Sequence, residues 1–525
     1  MRDPGVEQVW QWYSKGVTFK EQIGLYDTVE NNENFFIGKQ WEGVEANGNP
    51  TPTFNFLKRV TLFQVATVSS DNITMQASPL GGSERFSQEQ VAEVAEVVNR
   101  QFELLFEQNR ITTLTRAFMR NAAVDGDGCT YTYYDPDAET GQPVKGSLVT
   151  EVVENTRVIF GNPYDREVQK QPWIMIVLRR PLEEVQRMAE KNGFSQDAIR
   201  PDNEQGGRSS VRYGGDQVTL VVFLRKDPET GHIWAGKYTQ SGQVEAFRDT
   251  ALRLYPITWM NWDYVQDCYH GHALISQLIP NQVFVNQLFA MVMRSLQTTA
   301  FPKIIYDKTR IPHWDGGVGR AIGVNGGDMN SIARIMDPAS VSPQISQFIE
   351  AAIDYTQRFM GSTDVALGDT RPDNTSAIIA LQRASNAPLE LVKRNMYQAV
   401  EDLGRIYLDM MRAYYGTRMV KMRLFQEKRP FDMELQEHRM EQPFDFSLLE
   451  QLPMQLKLDV GASSFWSEIA AIQTLDNLLL QDKISLEDYL ERIPDGYVTK
   501  KQELIDKLRA AGAAAPQISA GGVNV

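Results

Sequence analysis

The feature that most constrains this fold is a predicted helix at residues 271–299 that is apolar on nearly every side. Its apolar residues are Leu274, Ile275, Leu278, Ile279, Val283, Phe284, Val285, Leu288, Phe289, Val292, Met293 and Leu296. A helix that is hydrophobic all round must be buried all round. Because only 42% of the chain is hydrophobic, packing against neighbouring copies of the same chain is a good way to bury it.

The same apolar stretch is not expected to cross a membrane. Between residues 273 and 300 it carries a heavy polar load, namely Gln277, Pro280, Asn281, Gln282, Asn286, Gln287 and Arg294. A bilayer span tolerates few such residues. The helix is therefore predicted to pack against protein.

The first half of the sequence predicts a mixed α+β region. Helical periodicity marks residues 6–36, 57–68, 87–123 and 181–192. Strand-like patterns mark residues 73–77, 129–134, 148–160, 173–178, 218–224 and 232–238.

The second half is dominated by helices. Residues 301–340 are glycine-rich, with strand-like pieces at 303–306 and 320–324, and a second helix follows from Ser342 and Pro343 to Gly361. A very long helix is predicted at about 376–415, and Pro388 inside it predicts a kink. Further patterns indicate strands at 418–425 and 454–460 and helices at 465–480 and 498–511.

Charge and cysteine content restrict the partners. The formal net charge is −14, whereas tight nucleic-acid binding uses basic patches that neutralise phosphates. Any contact with DNA should therefore be weak, although solubility alone also accounts for such a charge. The two cysteines, Cys129 and Cys268, are far apart and suit a reducing compartment.

No pattern in the sequence predicts catalysis, a cofactor or a metal. The glycine-rich turns near residues 316–327 lack the lysine and hydroxyl of a P-loop. Residues 125–128 (DGDG) depart from a calcium loop and are interpreted as a turn that opens a strand. Residues 268–272 (CYHGH) lack a second ligand pair for zinc and are interpreted as a turn before the long helix.

The order of these parts resembles the portal proteins of tailed bacteriophages, the head–tail connectors, especially those of the siphophage type. The resemblance is carried by residues 34–41 (NFFIGKQW) with 52–55 (PTFN), by Gly271 with 282–286 (QVFVN), and by 361–368 (GSTDVALG) with 375–378 (TSAI) and 381–382 (LQ). It covers most of the chain. Each motif is loose alone, and their order and spacing give the resemblance its weight.

The resemblance implies an α+β portal fold with a mixed α/β wing, a two-helix stem, a small α/β clip, a long kinked helix and a helical crown. By position, the wing would begin with residues 1–270, the stem helices would be 271–299 and 342–361, and the clip would be 300–341. The remaining parts would be a channel loop at 362–375, the long helix and the completion of the wing at 376–460, the crown at 461–511 and a disordered tail at 512–525.

The resemblance also implies a non-enzymatic virion protein, assembled in the host cytoplasm, that is expected to form a ring of twelve copies at one capsid vertex. Double-stranded DNA would pass through it without sequence specificity during packaging and ejection. Its protein partners would be the large terminase subunit, the major capsid and scaffolding proteins, and head-completion or adaptor proteins.

Three groups of residues receive roles from the resemblance. The stem residues expected to pack between subunits are Phe284, Leu288, Val292, Phe348, Ile349 and Ile353. The clip residues expected to dock terminase or adaptors are Lys303, Lys308, Arg310, Trp314 and Arg320. The residues expected to approach DNA are Thr363, Asp364, Leu367, Gly368, Asp369, Arg371 and Asn374.

Two other classes of protein stay open at this point. Another phage head structural protein would share the lack of catalytic patterns, but it should not have two apolar helices flanking a glycine-rich segment. A nucleic-acid-processing enzyme would need clustered carboxylates for metal ions. Asp364, Asp369 and Asp373 are close in sequence, but they lie in a predicted loop, which is a poor rigid metal site.

Overall fold

The fold is taken from a computed structural model. It describes residues 1–46, 48–71, 73–79, 88–139, 145–202, 216–300, 304–315, 317, 322–326, 328, 332–335, 344–359, 387–423, 439–452 and 454–460, with short stretches between 475 and 504. The chain divides into two compact units, Met1–Ser69 with Met75–Lys457, and Ser70–Thr74 with Leu458–Val525. In the described part of the second unit, the Tyr489 hydroxyl donates to Asp476 Oδ1 and Leu490 is buried.

The described residues contain helices and strands throughout the first unit. The helices are α1 Gly5–Gln22, α2 Leu25–Ile37, α3 Phe56–Val68, α4 Gln88–Gln108, α5 Ile111–Asp125, α6 Leu182–Lys191, α7 Leu274–Ala300, α8 Gln344–Phe359 and α9 Leu389–Tyr414. The strands are β1 Ile73–Pro79, β2 Asp127–Asp135, β3 Ser147–Val152, β4 Val158–Phe160, β5 Trp173–Pro181, β6 Gln217–Lys226, β7 Ile233–Tyr238, β8 Gln243–Asp249, β9 Ile257–Asn261, β10 Ile304–Tyr306, β11 Ala333–Ile335, β12 Thr417–Arg423, β13 Arg439–Asp445 and β14 Met454–Val460. This composition agrees with the predicted α+β class.

The larger sheet is antiparallel, with the order β4-β5-β6-β7-β8. Side chains alternate between the two faces of a strand, and each face of this sheet packs against a helix. On one face, Val9 and Tyr13 of α1 pack against Met175 and Phe223. On the other, Val185 of α6 packs with residues that include Leu220.

A smaller sheet has the order β3-β2-β9 and lies at the base of a helical layer. Strand β2 follows directly from α5 through Gly126, whose φ of 100° is left-handed. A Cβ atom at Gly126 would lie 2.8 Å from the carbonyl oxygen of Gly271, so the turn requires glycine both for its backbone angle and for this close approach. Helices α2, α3, α5 and α7 pack together, and α9 packs on β9 and α3.

Several predicted elements need correction. The helix predicted at 6–36 is two helices, because Gly24 is left-handed (φ 65°). The helix predicted at 87–123 is also two, because Arg110 adopts φ 49°. The strand expected at 320–324 is not found at 322–324, and β10 instead pairs with Ala333–Ile335.

The predicted long helix is described only in part. Residues 376–386 lie outside the described residues, whereas Ala387 and Pro388 form a turn and α9 begins at Leu389. Proline is tolerated at a helix start and disrupts a helix interior. The described part is therefore a helix that starts after Pro388, and the kink stays a prediction. Strands β8, β9, β11 and β13 were not predicted.

Within the part of the chain that is described, none of the helices combines the length and the apolar character that a transmembrane segment needs.

Candidate subunit-interaction surface

One face of the first half of α7 is buried inside the subunit. Leu274, Ile275, Leu278 and Val285 are each at most 4% exposed. Their spacing of three and four residues puts them on one helix face, which packs against α2, α3 and α5. This face of the apolar helix is therefore covered by its own chain.

Side-chain amides fix this half of α7 in place. Gln282 Nε2 donates to the Phe54 carbonyl at 2.7 Å and to Asn286 Oδ1 at 2.9 Å, and Gln282 Oε1 accepts from the Leu57 amide at 3.3 Å. Asn286 Nδ2 in turn donates to Gln40 Oε1 at 2.7 Å. Buried amides cost free energy unless they are bonded, so this chain of bonds favours one position of α7 over others.

Helix α8 packs against α7 in the opposite direction. Asn281 Nδ2, early in α7, donates to Thr356 Oγ1, late in α8, at 3.0 Å. Ile349 and Thr356 of α8 are buried and lie about two helical turns apart, on the same face. The predicted stem is thus a pair of antiparallel helices with one face of α8 against α7.

Large apolar side chains on the rest of this pair are exposed. On α7, Phe284 is 47% exposed, Met291 57% and Leu296 56%. On α8, Phe348 is 61% and Tyr355 57% exposed. We call these five residues the exposed stem surface. The exposure of several large apolar residues on one pair of helices is typical of interaction sites.

The predicted stem residues fall into three groups. Phe284 and Phe348 are exposed, and Leu288, Val292 and Ile353 are half-buried. Ile349, at 7% exposure, is covered by its own chain. Phe348 and Ile349 were predicted to have the same role in packing between subunits, but the structure separates them because Phe348 is exposed and Ile349 is buried.

The predicted clip contains a small hairpin. Strands β10 and β11 pair antiparallel, and Ile304 and Ile305 of β10 are exposed. Trp314 stacks on Tyr306 with ring centroids 5.1 Å apart. Lys308 and Arg310 are exposed on the segment that follows β10.

Some predicted site residues cannot be located. Lys303 and Arg320 of the clip lie outside the described residues, as do all seven residues expected to approach DNA, the crown apart from short stretches, and the tail at 512–525.

The structure brings together a polar cluster beneath the start of α7 that the sequence did not predict. Asp127 is fully buried and accepts four hydrogen bonds. Its Oδ1 accepts from Asn261 Nδ2 and the Gly271 amide, both at 2.7 Å, and its Oδ2 accepts from His270 Nδ1 at 2.7 Å and Asn155 Nδ2 at 3.0 Å. One carboxylate therefore joins β2, β9, the 3₁₀ turn after β3 and the loop before α7.

Lys20 of α1 completes this cluster. Its side chain is fully buried, and its Nζ donates to the carbonyls of Asn155 at 3.0 Å and Thr156 at 2.9 Å. Burial lowers the pKa of Lys20 to about 7, although the negative charge of Asp127 opposes the shift. A lysine without solvent exposure is rare unless it is paired.

His270 is the second base of the cluster, and burial lowers its pKa although Asp127 opposes the shift. Its neighbours in the predicted turn are less buried than His270: Cys268 is half-buried and His272 is exposed. Among the described residues, no group of three or more His, Cys, Asp or Glu could hold a metal.

Sequence signals for this cluster were weak. Asp127 lay in a motif interpreted as a turn, and His270 in another. Lys20 lies in the last turn of α1, where a lysine is common and gives no sign of burial. Only the fold brings these three positions together.

A comparison with known families gives a match that includes both predicted stem helices. The family model described as phage P22-like portal protein matches residues 219–433. A search of curated proteins found no significant match. The matched segment is somewhat less than half of the chain and includes α7, the β10–β11 hairpin, α8, the predicted channel loop and α9. It names the P22-like family and does not address the finer resemblance to siphophage portals. The match confirms the resemblance to phage portal proteins over residues 219–433.

Proposed function

We propose that this protein is the ring-forming portal subunit of a tailed phage, and that the ring surrounds the channel through which DNA enters and leaves the head. The observation that carries the proposal is the exposed stem surface, which lies inside the segment that matches the portal family. Fully burying a large apolar side chain contributes roughly 1.5–3 kcal/mol. A ring of identical subunits would bury these side chains on every copy.

The number of copies is proposed from the family resemblance as twelve. A head-to-tail contact between identical subunits gives a closed ring when its rotation closes and an open filament when it does not. We propose the closed ring, because the portal resemblance implies it. The protein would then be a virion component at one capsid vertex, in contact with capsid and scaffolding proteins.

The clip is proposed to dock the large terminase subunit during packaging and the head-completion or adaptor proteins afterwards. The exposed Ile304 and Ile305 and the stacked Tyr306 and Trp314 offer an apolar surface. Lys308 and Arg310 add positive charge at its rim. Interfaces of this kind commonly combine aromatic anchors with charged edges.

The residues from Thr363 to Asn374 are proposed to approach DNA in the channel without sequence specificity. Their carboxylates, Asp364, Asp369 and Asp373, disfavour a tight grip on phosphates. Deleting residues 368–374 should leave rings intact and impair packaging in an assay with the cognate terminase and procapsids. Normal packaging by that mutant would count against this role.

Electron microscopy of the purified full-length protein tests the central proposal. We expect rings with an axial hole and rotational symmetry, and we expect their loss in the double variant Phe284→Ser with Phe348→Ser. Gln287→Ala, at an exposed polar position of α7, is the matched control and should form normal rings. Shells, or monomers alone at high concentration, would contradict the proposal. Shells would favour another head structural protein.

A further inference from the structure

The buried cluster beneath α7 carries an inference that goes beyond the proposed function. We propose that Lys20, Asp127 and His270 form a proton-sensitive latch. It holds the 263–273 loop, and with it the start of α7, against β2, and it opens when His270 gains a proton. The latch belongs to the single subunit and does not depend on ring formation.

The first step of the argument is connectivity. Asp127 binds the loop twice, through the Gly271 amide and through His270 Nδ1, both at 2.7 Å. The same carboxylate holds Asn261 of β9, whose Nδ2 also donates to the Tyr269 carbonyl at 2.8 Å. Helix α7 begins three residues after Gly271. A change in the bonds of Asp127 therefore acts directly on the start of α7.

The second step is close packing, which leaves the loop little freedom. A Cβ atom at Gly271 would lie 2.7 Å from Asn261 Cβ and from the Asp263 carbonyl oxygen. The Asp263 and His272 backbones bond to each other in both directions, at 2.9 and 3.3 Å. The imidazole of His270 therefore has no room to turn towards water, when its charge changes, unless the loop moves.

The third step is a charge count. Two bases, Lys20 and His270, face one carboxylate, Asp127. The other titratable groups that face them are Cys129 on β2 and Cys268 and Tyr269 on the loop. Burial raises the pKa of all three, so they stay neutral and add no negative charge. As pH falls, Lys20, whose pKa is about 7, gains its proton before His270, whose pKa is lowered below the ordinary 6.5. Protonated His270 would then be the second buried cation, and one carboxylate compensates one buried cation but not two.

The fourth step concerns the proton itself. In the neutral ring, Nδ1–H donates to Asp127 Oδ2, so the added proton must go to Nε2. That atom is buried and has no hydrogen-bond partner in the protein. Protonation therefore places a second, unpaired positive charge inside the cluster, next to Lys20.

The direction of the pH effect follows from linkage. The pKa of His270 is lowered in the folded protein, so the opened loop, where the ring has its ordinary pKa, binds the proton more readily. The closed latch is thus favoured above the ordinary histidine pKa of about 6.5 and is lost as pH falls below it.

Hydrogen-exchange mass spectrometry of the full-length protein at pH 7.5 and pH 5.5 tests the latch. Each value is normalised to the intrinsic rate with an unstructured reference peptide. We expect protection of residues 263–275 to fall on the order of tenfold at the lower pH, the effect of one pKa unit. Protection of residues 174–178 in β5 should not change.

Two variants separate the latch from a simple structural role. In His270→Gln the amide keeps a donor towards Asp127 but does not titrate, so the acid effect should vanish. In Lys20→Met the acid effect should also vanish, because protonated His270 is then the only cation that faces Asp127. His232→Gln, which removes a histidine paired at the surface with Asp249 at 3.0 Å, should behave like the wild type.

The proposal fails if the acid effect persists in His270→Gln or in Lys20→Met, or if the wild type shows no acid effect at residues 263–275. If neither variant folds, the wild-type measurement decides alone. None of these readouts requires ring assembly, so failure of the latch and failure of the proposed ring are distinguishable.

Discussion

The two halves of α7 have similar apolar content and opposite surroundings. In the first half, from Leu274 to Asn286, Leu278 and Val285 are completely buried and amides bond to α3 and the loops around it. In the second half, Met291 and Leu296 are more than half exposed. One helix is thus both a core element of the subunit and an uncovered apolar surface. Hydrophobicity alone says that a face must be buried, but it does not say which chain covers it.

The largest effect should come from the same substitution made in each half. Leu278→Ala removes a fully buried side chain and should destabilise the subunit by about 2–5 kcal/mol, because it leaves a cavity. Leu296→Ala should change subunit stability by less than about 0.5 kcal/mol. Urea denaturation of dissociated subunits measures both, and equal losses would remove the distinction between the halves.

A smaller effect is expected from the polar anchors of the first half. Gln282→Ala leaves the Phe54 carbonyl and Asn286 without their partner and should cost about 1–3 kcal/mol. Gln287→Ala, at an exposed position in the second half, should be close to neutral. The same denaturation series checks both variants, and a neutral Gln282→Ala would show that the amide chain does not fix α7.

The smallest effect should lie where α8 joins α7. Asn281→Ala removes the bond to Thr356 Oγ1 and should cost about 0.5–1.5 kcal/mol. Hydrogen exchange should show α8 loosening first. Gln347→Ala, exposed on α8, serves as the control, and similar exchange in the two variants would contradict the link.

Sequence reasoning recovered the elements whose periodicity is strong. Helix α3, predicted at 57–68, runs from Phe56 to Val68, and the strand predicted at 173–178 lies within β5. Sequence reasoning failed where the backbone angle of a single residue ends one helix and starts the next. Arg110 takes a left-handed conformation that its side chain does not signal. Strand β9 was missed because its pairing with β2, far away in the sequence, defines it and the local pattern does not reveal it. Strand β8 pairs with β7 in a local hairpin that was also missed.

For the stem surface, the sequence predicted the two helices but not which of their faces are exposed. The apolar helix and its returning partner were visible in the sequence, and the family match covers both. The division of each helix into a buried and an exposed face was not, because Phe348 and Ile349 look alike until α7 is placed beside one of them. The Lys20–Asp127–His270 cluster combines positions more than a hundred residues apart, and no local pattern encodes such a meeting.

Methionine oxidation measures the central claim most directly, because Met291 and Met293 lie on the exposed half of α7 and are 57% and 39% exposed in the single subunit. Oxidation follows solvent access. The account predicts that a peroxide pulse modifies both residues rapidly in dissociated subunits and roughly tenfold or more slowly in assembled protein, as sister subunits exclude solvent. Met119, which is fully buried, should be protected in both states. Equal oxidation of Met291 and Met293 in the assembled and dissociated protein would mean that sister subunits do not cover this surface.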